Sequence, residues 1–204
     1  MKNILVVCLS ILLLASCTLT QQYSFNEDFS GHYQLEFDLS DMANYGNEDP
    51  DSVPNVFEGF NIDSVQDAYA KIEGISKIKV KTENNVLFVE YKFADLKALN
   101  ASLSLQEQAD LGISGMGSDN KFSYVDGVFT YNFQDETSAE ATPDSIAQMM
   151  SFVDYSIRMQ FAKPIKSATN GTIDQSGMLL DLSGNLGEIA SKEKSLNVQV
   201  TFKK

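Results

Sequence analysis

Few residues in this chain have the types and spacing to do chemistry. His32 is the single histidine among 204 residues. An imidazole can serve as general base, yet it needs a nucleophile and an orienting partner. No Gly-x-Ser-x-Gly turn is present to expose a serine nucleophile, and one histidine rules out a multi-histidine zinc site. His32 therefore reads as a strand-edge residue without a catalytic role. Glu48, Asp49 and Asp51 are the strongest metal candidates, since a loop can wrap carboxylates around calcium. They lack the Asp-x-Asp-x-Asp-Gly spacing of a calcium loop, and a solvated acidic loop is the expectation. Gly112, Gly115 and Gly117 cluster, but no Gly-Lys-Ser/Thr follows, so they predict a flexible connector and not a phosphate cradle. A pair of carboxylates can hydrolyse a glycoside; with 28 Asp and Glu, abundance singles out no pair.

One thiol stands apart. Lys2 provides a short positive region, and Ile4 to Ala15 form an apolar run too short to span a bilayer and remain there. Leu14-Ala15-Ser16-Cys17 then places small residues before a cysteine, which resembles the lipobox of a bacterial lipoprotein signal peptide. The resemblance implies cleavage before Cys17 and attachment of fatty acid, palmitate among them, to that residue. Residues 1–16 are then a signal peptide, and 17–30 a lipidated tether, because Thr18 to Asn26 are polar and unpatterned. Two acyl chains hold a protein to a membrane without a spanning helix.

Composition narrows the partners. The formal net charge is -13, which repels nucleic acid and anionic head groups. The chain has two cysteines; Cys8 leaves with the signal peptide and Cys17 carries lipid, so neither disulfide nor thiolate metal site is expected. Tryptophan is absent, and the aromatic core must rest on Phe and Tyr.

The elements that would position these residues fill 31–204, read as a single α+β domain. Tyr33, Leu35, Phe37 and Leu39 alternate with polar residues as a half-buried strand does. Asp41 to Asn61, with Pro50 and Pro54, predicts a long loop. Val65, Ala68, Tyr69 and Ile72 then follow at helical spacing, with Asn61 or Asp63 as N-cap. Ser76 to Phe93 predicts a hairpin turning at Asn84-Asn85. Its register sets Thr82 opposite Leu87, Val80 opposite Val89 and Ile78 opposite Tyr91, with Lys77 against Lys92 and Lys79 against Glu90 on the other face. Asp126-Gly127 predicts a second hairpin that pairs Tyr124 with Phe129 and Phe122 with Tyr131. Leu96, Leu99 and Leu103 suggest a helix, Ser104 with Glu107 a capping box for a short second one. Thr142-Pro143 opens a third, with Ile146, Met149 and Met150 inward. Tyr155 to Phe161, Met178 to Leu182 and Leu196 to Phe202 alternate again.

One apolar and one polar face per strand predicts an antiparallel β-sheet with about three helices packed on one face. The rival is a barrel or two-sheet sandwich with helical insertions. Tyr33, Phe37, Tyr91, Phe93, Phe122, Tyr124, Phe129, Tyr131, Tyr155 and Phe161 are expected in the core, or partly around an apolar ligand pocket. Asn100-Ala101-Ser102 and Asn170-Gly171-Thr172 match glycosylation sequons that a bacterial lipobox makes coincidental.

The C-terminal third is the part with a family likeness. Tyr155-Ser156-Ile157-Arg158-Met159-Gln160-Phe161 leads into Lys163-Pro164-Ile165-Lys166-Ser167-Ala168-Thr169-Asn170-Gly171 and a returning hairpin. This resembles a group of Bacteroidetes envelope lipoproteins and, faintly, the α+β domain of LppM-type mycobacterial lipoproteins, which implies lipid handling and brings no catalytic residue. Thr18 after the cysteine resembles the outer-membrane sorting signal, and without acidic residues just after Cys17 the periplasmic side is implied. The sequence thus predicts a membrane-anchored envelope lipoprotein that is not an enzyme and uses no cofactor. It would bind an envelope protein partner or an apolar, lipid-like ligand, and no nucleic acid. The alternative is a periplasmic hydrolase with a carboxylate pair.

Overall fold

The computed structural model describes residues 17–41, 55–108, 121–133, 153–190 and 193–203. The first of them overturn an expectation. Where a tether was predicted, β1 (Cys17–Phe25) runs through the interior of a sheet. Cys17, Leu19, Gln21, Tyr23 and Phe25 are buried on one face and alternate with more exposed residues. The period-two pattern is interrupted only by the inward Gln21, which makes the segment look unpatterned. The amide oxygen is satisfied inside, since the Tyr23 hydroxyl donates to Gln21 Oε1.

β1 pairs antiparallel with β2 (Gly31–Asp38) and parallel with β7 (Val153–Phe161). The turn between β1 and β2 is held by Asn26 N–H on the Ser30 carbonyl at 2.8 Å and by Asp28, whose carboxylate accepts from Ser30 N–H. A Cβ on Gly31 would lie 1.9 Å from the Ser24 carbonyl oxygen, so only glycine lets β2 start this close to β1.

The hairpin of β3 (Ile75–Glu83) and β4 (Val86–Phe93) turns at Asn84 and Asn85, both at positive φ. Thr82–Leu87, Val80–Val89 and Lys79–Glu90 pair as predicted. The register then shifts between Ser76 and Lys79, with Lys77 at φ 54°. Ser76, not Lys77, therefore faces Lys92. The extra residue is a bulge, and it removes a like-charge pair from the ladder.

Seven strands form the larger sheet in the order β3-β4-β2-β1-β7-β10-β9, with β9 (Thr172–Ile173) and β10 (Leu179–Asn185) at one edge. Among the described residues only β1–β7 of this sheet is parallel. A second sheet has the order β5-β6-β11-β8. It contains the Asp126-Gly127 hairpin of β5 (Lys121–Val125) and β6 (Val128–Asn132), then β11 (Val198–Phe202) and β8 (Ile165–Ala168). Tyr124–Phe129 and Phe122–Tyr131 pair as expected.

Three helices occur among the described residues: α1 (Ile62–Ala70), α2 (Leu96–Gln108) and α3 (Leu186–Ala190). Asn61 caps α1 by accepting from Ser64 N–H at 3.0 Å, and Asp95 accepts from Ala98 N–H at 2.8 Å to start α2. Ser104 starts no second helix. It lies within α2 and donates to the Asn100 carbonyl, one turn back. Thr142, Pro143, Ile146, Met149 and Met150 lie outside the described residues.

The molecule is thus a mixed α/β fold with a large, mainly antiparallel sheet, a second smaller sheet and few helices. Much of the cover expected from helices comes from the second sheet. Phe25 meets Phe122 and Phe129 across the layer at 5.7 and 5.1 Å, and Phe129 meets Phe161 at 5.1 Å. Offset and edge-on ring pairs at these separations are favourable beyond the area they bury. The helices reach β4 through Tyr69, whose ring lies 5.1 Å from that of Tyr91, and through Ser102 on the Tyr91 hydroxyl at 2.6 Å.

Candidate functional site

Cys17 is the first residue of β1, beside Val153 on β7, and its neighbour Thr18 lies opposite Asp38 on β2. Its side chain is buried and shares the core-facing side of the strand with Leu19, Gln21, Tyr23 and Phe25. No residue separates the candidate acylation position from the folded sheet.

His32 lies on the opposite face of that sheet. Its Nε2 is 3.1 Å from a Glu90 carboxylate oxygen, and Lys79 approaches the other oxygen at 3.9 Å. All three side chains are at least a third exposed. Such exposed contacts contribute little to stability. The arrangement orients His32 by a carboxylate on the outer face of the sheet, where Ser24 of β1 stands opposite it in the strand register. Glu48, Asp49 and Asp51 lie outside the described residues, as do Gly112, Gly115 and Gly117. Among the described residues no three His, Cys, Asp or Glu converge where they could hold a metal. No described helix is long and apolar enough to cross a membrane.

Six tyrosines stand beside the phenylalanines and leucines of the core layer. Tyr23, Tyr33, Tyr69, Tyr91, Tyr131 and Tyr155 are almost wholly buried. Tyr23 stacks obliquely on Tyr33 at 5.0 Å, and Tyr33 on Tyr91 at 4.8 Å. Burial raises the hydroxyls of Tyr23, Tyr91, Tyr131 and Tyr155 above the ordinary phenol range, and their nearness to one another adds to it. They are held neutral. Tyr131 and Tyr155 lie across from one another without reaching hydrogen-bond geometry, and neither hydroxyl has a partner among the described residues. An unpaired buried hydroxyl costs about 1–3 kcal/mol. Of the expected core aromatics, Tyr124 departs, being 45 % exposed. It lies against Phe29 beside the β5–β6 turn.

Both sequon asparagines have structural work. Asn100 bonds both backbone groups of Phe122. Asn170 donates to the carbonyls of Ser195 and Asn197 and ties the β8–β9 turn to the approach of β11. Gln21 is the residue that sequence reading passed over. An alternating Leu19, Tyr23, Phe25 series around it was the available signal.

No protein-family model matches the chain, and a search of curated proteins finds no relative. Among solved structures, the NMR structure of the folded domain of the Mycobacterium tuberculosis LppM protein is similar. The likeness has a TM-score of 0.47 at 9% identity and covers 92% of this chain and 90% of that one.

Proposed function

We propose that the protein is a lipoprotein of the cell envelope, anchored through lipid on Cys17, that works by binding and not by catalysis. The observation that carries the anchor is Leu14-Ala15-Ser16-Cys17 behind a short apolar run. Outer-membrane attachment facing the periplasm is the finer reading, supported by Thr18 and the absence of acidic residues just after the cysteine. The binding role is supported by the separation of the candidate chemical groups. His32 sits on the outer sheet face with Glu90 and Lys79, apart from the buried layer, which is lined by neutral phenols. In a first reading the partner is an envelope protein. A second reading, an apolar ligand carrying one polar group, is favoured by the unpartnered hydroxyls of Tyr131 and Tyr155.

The anchor is tested by replacing Cys17 with Ala, which should leave uncleaved precursor that takes up no labelled fatty acid. Unchanged labelling would remove the assignment. Native mass spectrometry of the delipidated domain, beside a detergent pull-down of the anchored form, tests the binding role. A retained lipid-like mass points to the second reading, a stoichiometric protein to the first. Turnover of a glycan, peptide or ester, lost in one Asp or Glu variant that still folds, would replace both with the hydrolase alternative.

A further inference from the structure

If Cys17 carries lipid, the geometry of β1 fixes how the domain stands on the membrane. Strand directions define two ends of the large sheet. Cys17, Asp38, the Asn84-Asn85 turn, Val153 and Asn185 lie at one end. The turn carrying Val56 and Glu58 joins them, because Val56 N–H donates to Asn85 Oδ1 at 2.9 Å. Phe25, Gly31, Phe93, Phe161 and Leu179 lie at the other. Phe29 follows Phe25 there, and Tyr124 packs on it with ring centroids 4.4 Å apart, which puts the β5–β6 turn at that far end. With β1 nine residues long, the ends are about 26 Å apart at ~3.3 Å per residue.

We infer that the Cys17 end of the large sheet lies on the lipid bilayer, and that the Phe29–Tyr124–Val125 end points away from it. This rests on the acylation of Cys17. Two observations carry it. No chain separates the anchor residue from β1, so the domain has no flexible segment on which to swing; a linker of n residues would allow roughly 5–6 Å × √n of drift. The Cys17 side chain also lies on the core side of β1, so a thioether-linked lipid leaves from the middle of the domain's end and not from its outer flank. An anchor at mid-section sets the strands upright. At this end Glu83 is already paired with Lys81 at 3.1 Å, and the exposed Glu58 would be repelled by anionic head groups. The bilayer is therefore held by the acyl chains and not by surface charge.

The test uses the full-length acylated protein in phosphatidylethanolamine–phosphatidylglycerol vesicles that carry a head-group quencher. With Cys17 blocked by lipid and Cys8 removed, one introduced cysteine can be labelled with a fluorophore. Glu58→Cys and Glu83→Cys report the near end, Val125→Cys and Glu27→Cys the far end; all four positions are exposed. Several-fold stronger quenching at 58 and 83 is expected. Equal quenching at both ends, or the reverse order, overturns the upright seating. Inserting 15 Gly/Ser residues between Cys17 and Thr18 should abolish the difference; a difference that persists would mean the junction does not set the orientation. Vesicle flotation of Cys17→Ala separates the two claims. If flotation is lost while wild-type labels quench equally, the anchor stands and the seating falls. If Cys17→Ala still floats, both fall.

Discussion

The carboxamide of Asn100 on α2 holds the backbone of Phe122 on β5 from both sides. Its Nδ2 donates to the Phe122 carbonyl at 2.9 Å, and its Oδ1 accepts from the Phe122 N–H at 2.8 Å. β5 is an edge strand of the small sheet, and an edge offers unpaired backbone groups to any passing strand. One side chain thus does for β5 what a further strand would do, and fastens α2 to the sheet at the same point.

Asn100→Ala removes both bonds from a partly buried backbone. The expected loss is about 1–3 kcal/mol, seen as a lower urea midpoint with an unchanged slope. Amide exchange at Phe122 should quicken more than at Phe129, whose strand keeps both neighbours. An unaltered midpoint would show that β5 holds its place by packing alone.

The faces of the β3–β4 hairpin allow a sharper contrast. Val80 and Val89 face each other in the core, whereas Lys79 is exposed opposite Glu90. Aspartate at Val80 or Val89 places an unpaired carboxylate in that core, and a loss of about 3–5 kcal/mol is expected. Lys79→Asp exchanges a weak surface attraction for a weak repulsion, within about 1 kcal/mol. Denaturant titration of the three variants checks this, and equal losses would reverse the assignment of the two faces.

These two relationships differ in how far the sequence discloses them. The hairpins at Asn84-Asn85 and Asp126-Gly127 are local: turn residues and flanking alternation lie within one window, and the pairings near each turn follow. The bulge at Lys77 lies further from its turn, where no local signal marks the extra residue. β1 is the larger miss. Its parallel partner β7 is distant in sequence, and the inward Gln21 breaks the alternation that would have revealed it. Asn100 was legible only as a sequon, because its work depends on a strand brought to it by tertiary structure. The candidate site fares likewise: Cys17 is marked by the residues before it, but its place at the head of an interior strand is not.

The buried tyrosines predict fragility in alkali. Tyr23, Tyr91, Tyr131 and Tyr155 all have hydroxyls raised above the ordinary phenol range by burial. In the unfolded chain they ionise near pH ~10. Below that pH both states are neutral and stability is intact; above it the unfolded chain loses protons that the folded one keeps, so stability falls. Tyrosinate absorbance from these four should therefore rise together with loss of β-sheet circular dichroism. Tyr131→Phe removes an unpartnered hydroxyl and should leave stability at neutral pH equal or higher. Smooth titration of all tyrosines with the fold intact would contradict the closed layer.

Asp174 gives the opposite sign at the other end of the pH scale. Its carboxylate accepts from the N–H groups of Ser176, Met178 and Leu179 and from the Ser176 hydroxyl. These bonds favour the charged form and lower its pKa to about 2. An unfolded aspartate titrates near ~3.9. The stabilisation is therefore present above pH ~4 and is lost as pH falls through about 2. The group is fully exposed, so solvent screens the effect and the global change should be small. Its clearest readout is local: the Asp174 carboxyl carbon shift should titrate well below the value of an unfolded aspartate. Asp174→Asn keeps an acceptor but no charge, and Asp174→Ala keeps neither. Amide exchange at Met178 and Leu179 should rise modestly in the first and strongly in the second. Equal protection in all three proteins would mean that the turn into β10 is held by the strand ladder and not by this carboxylate.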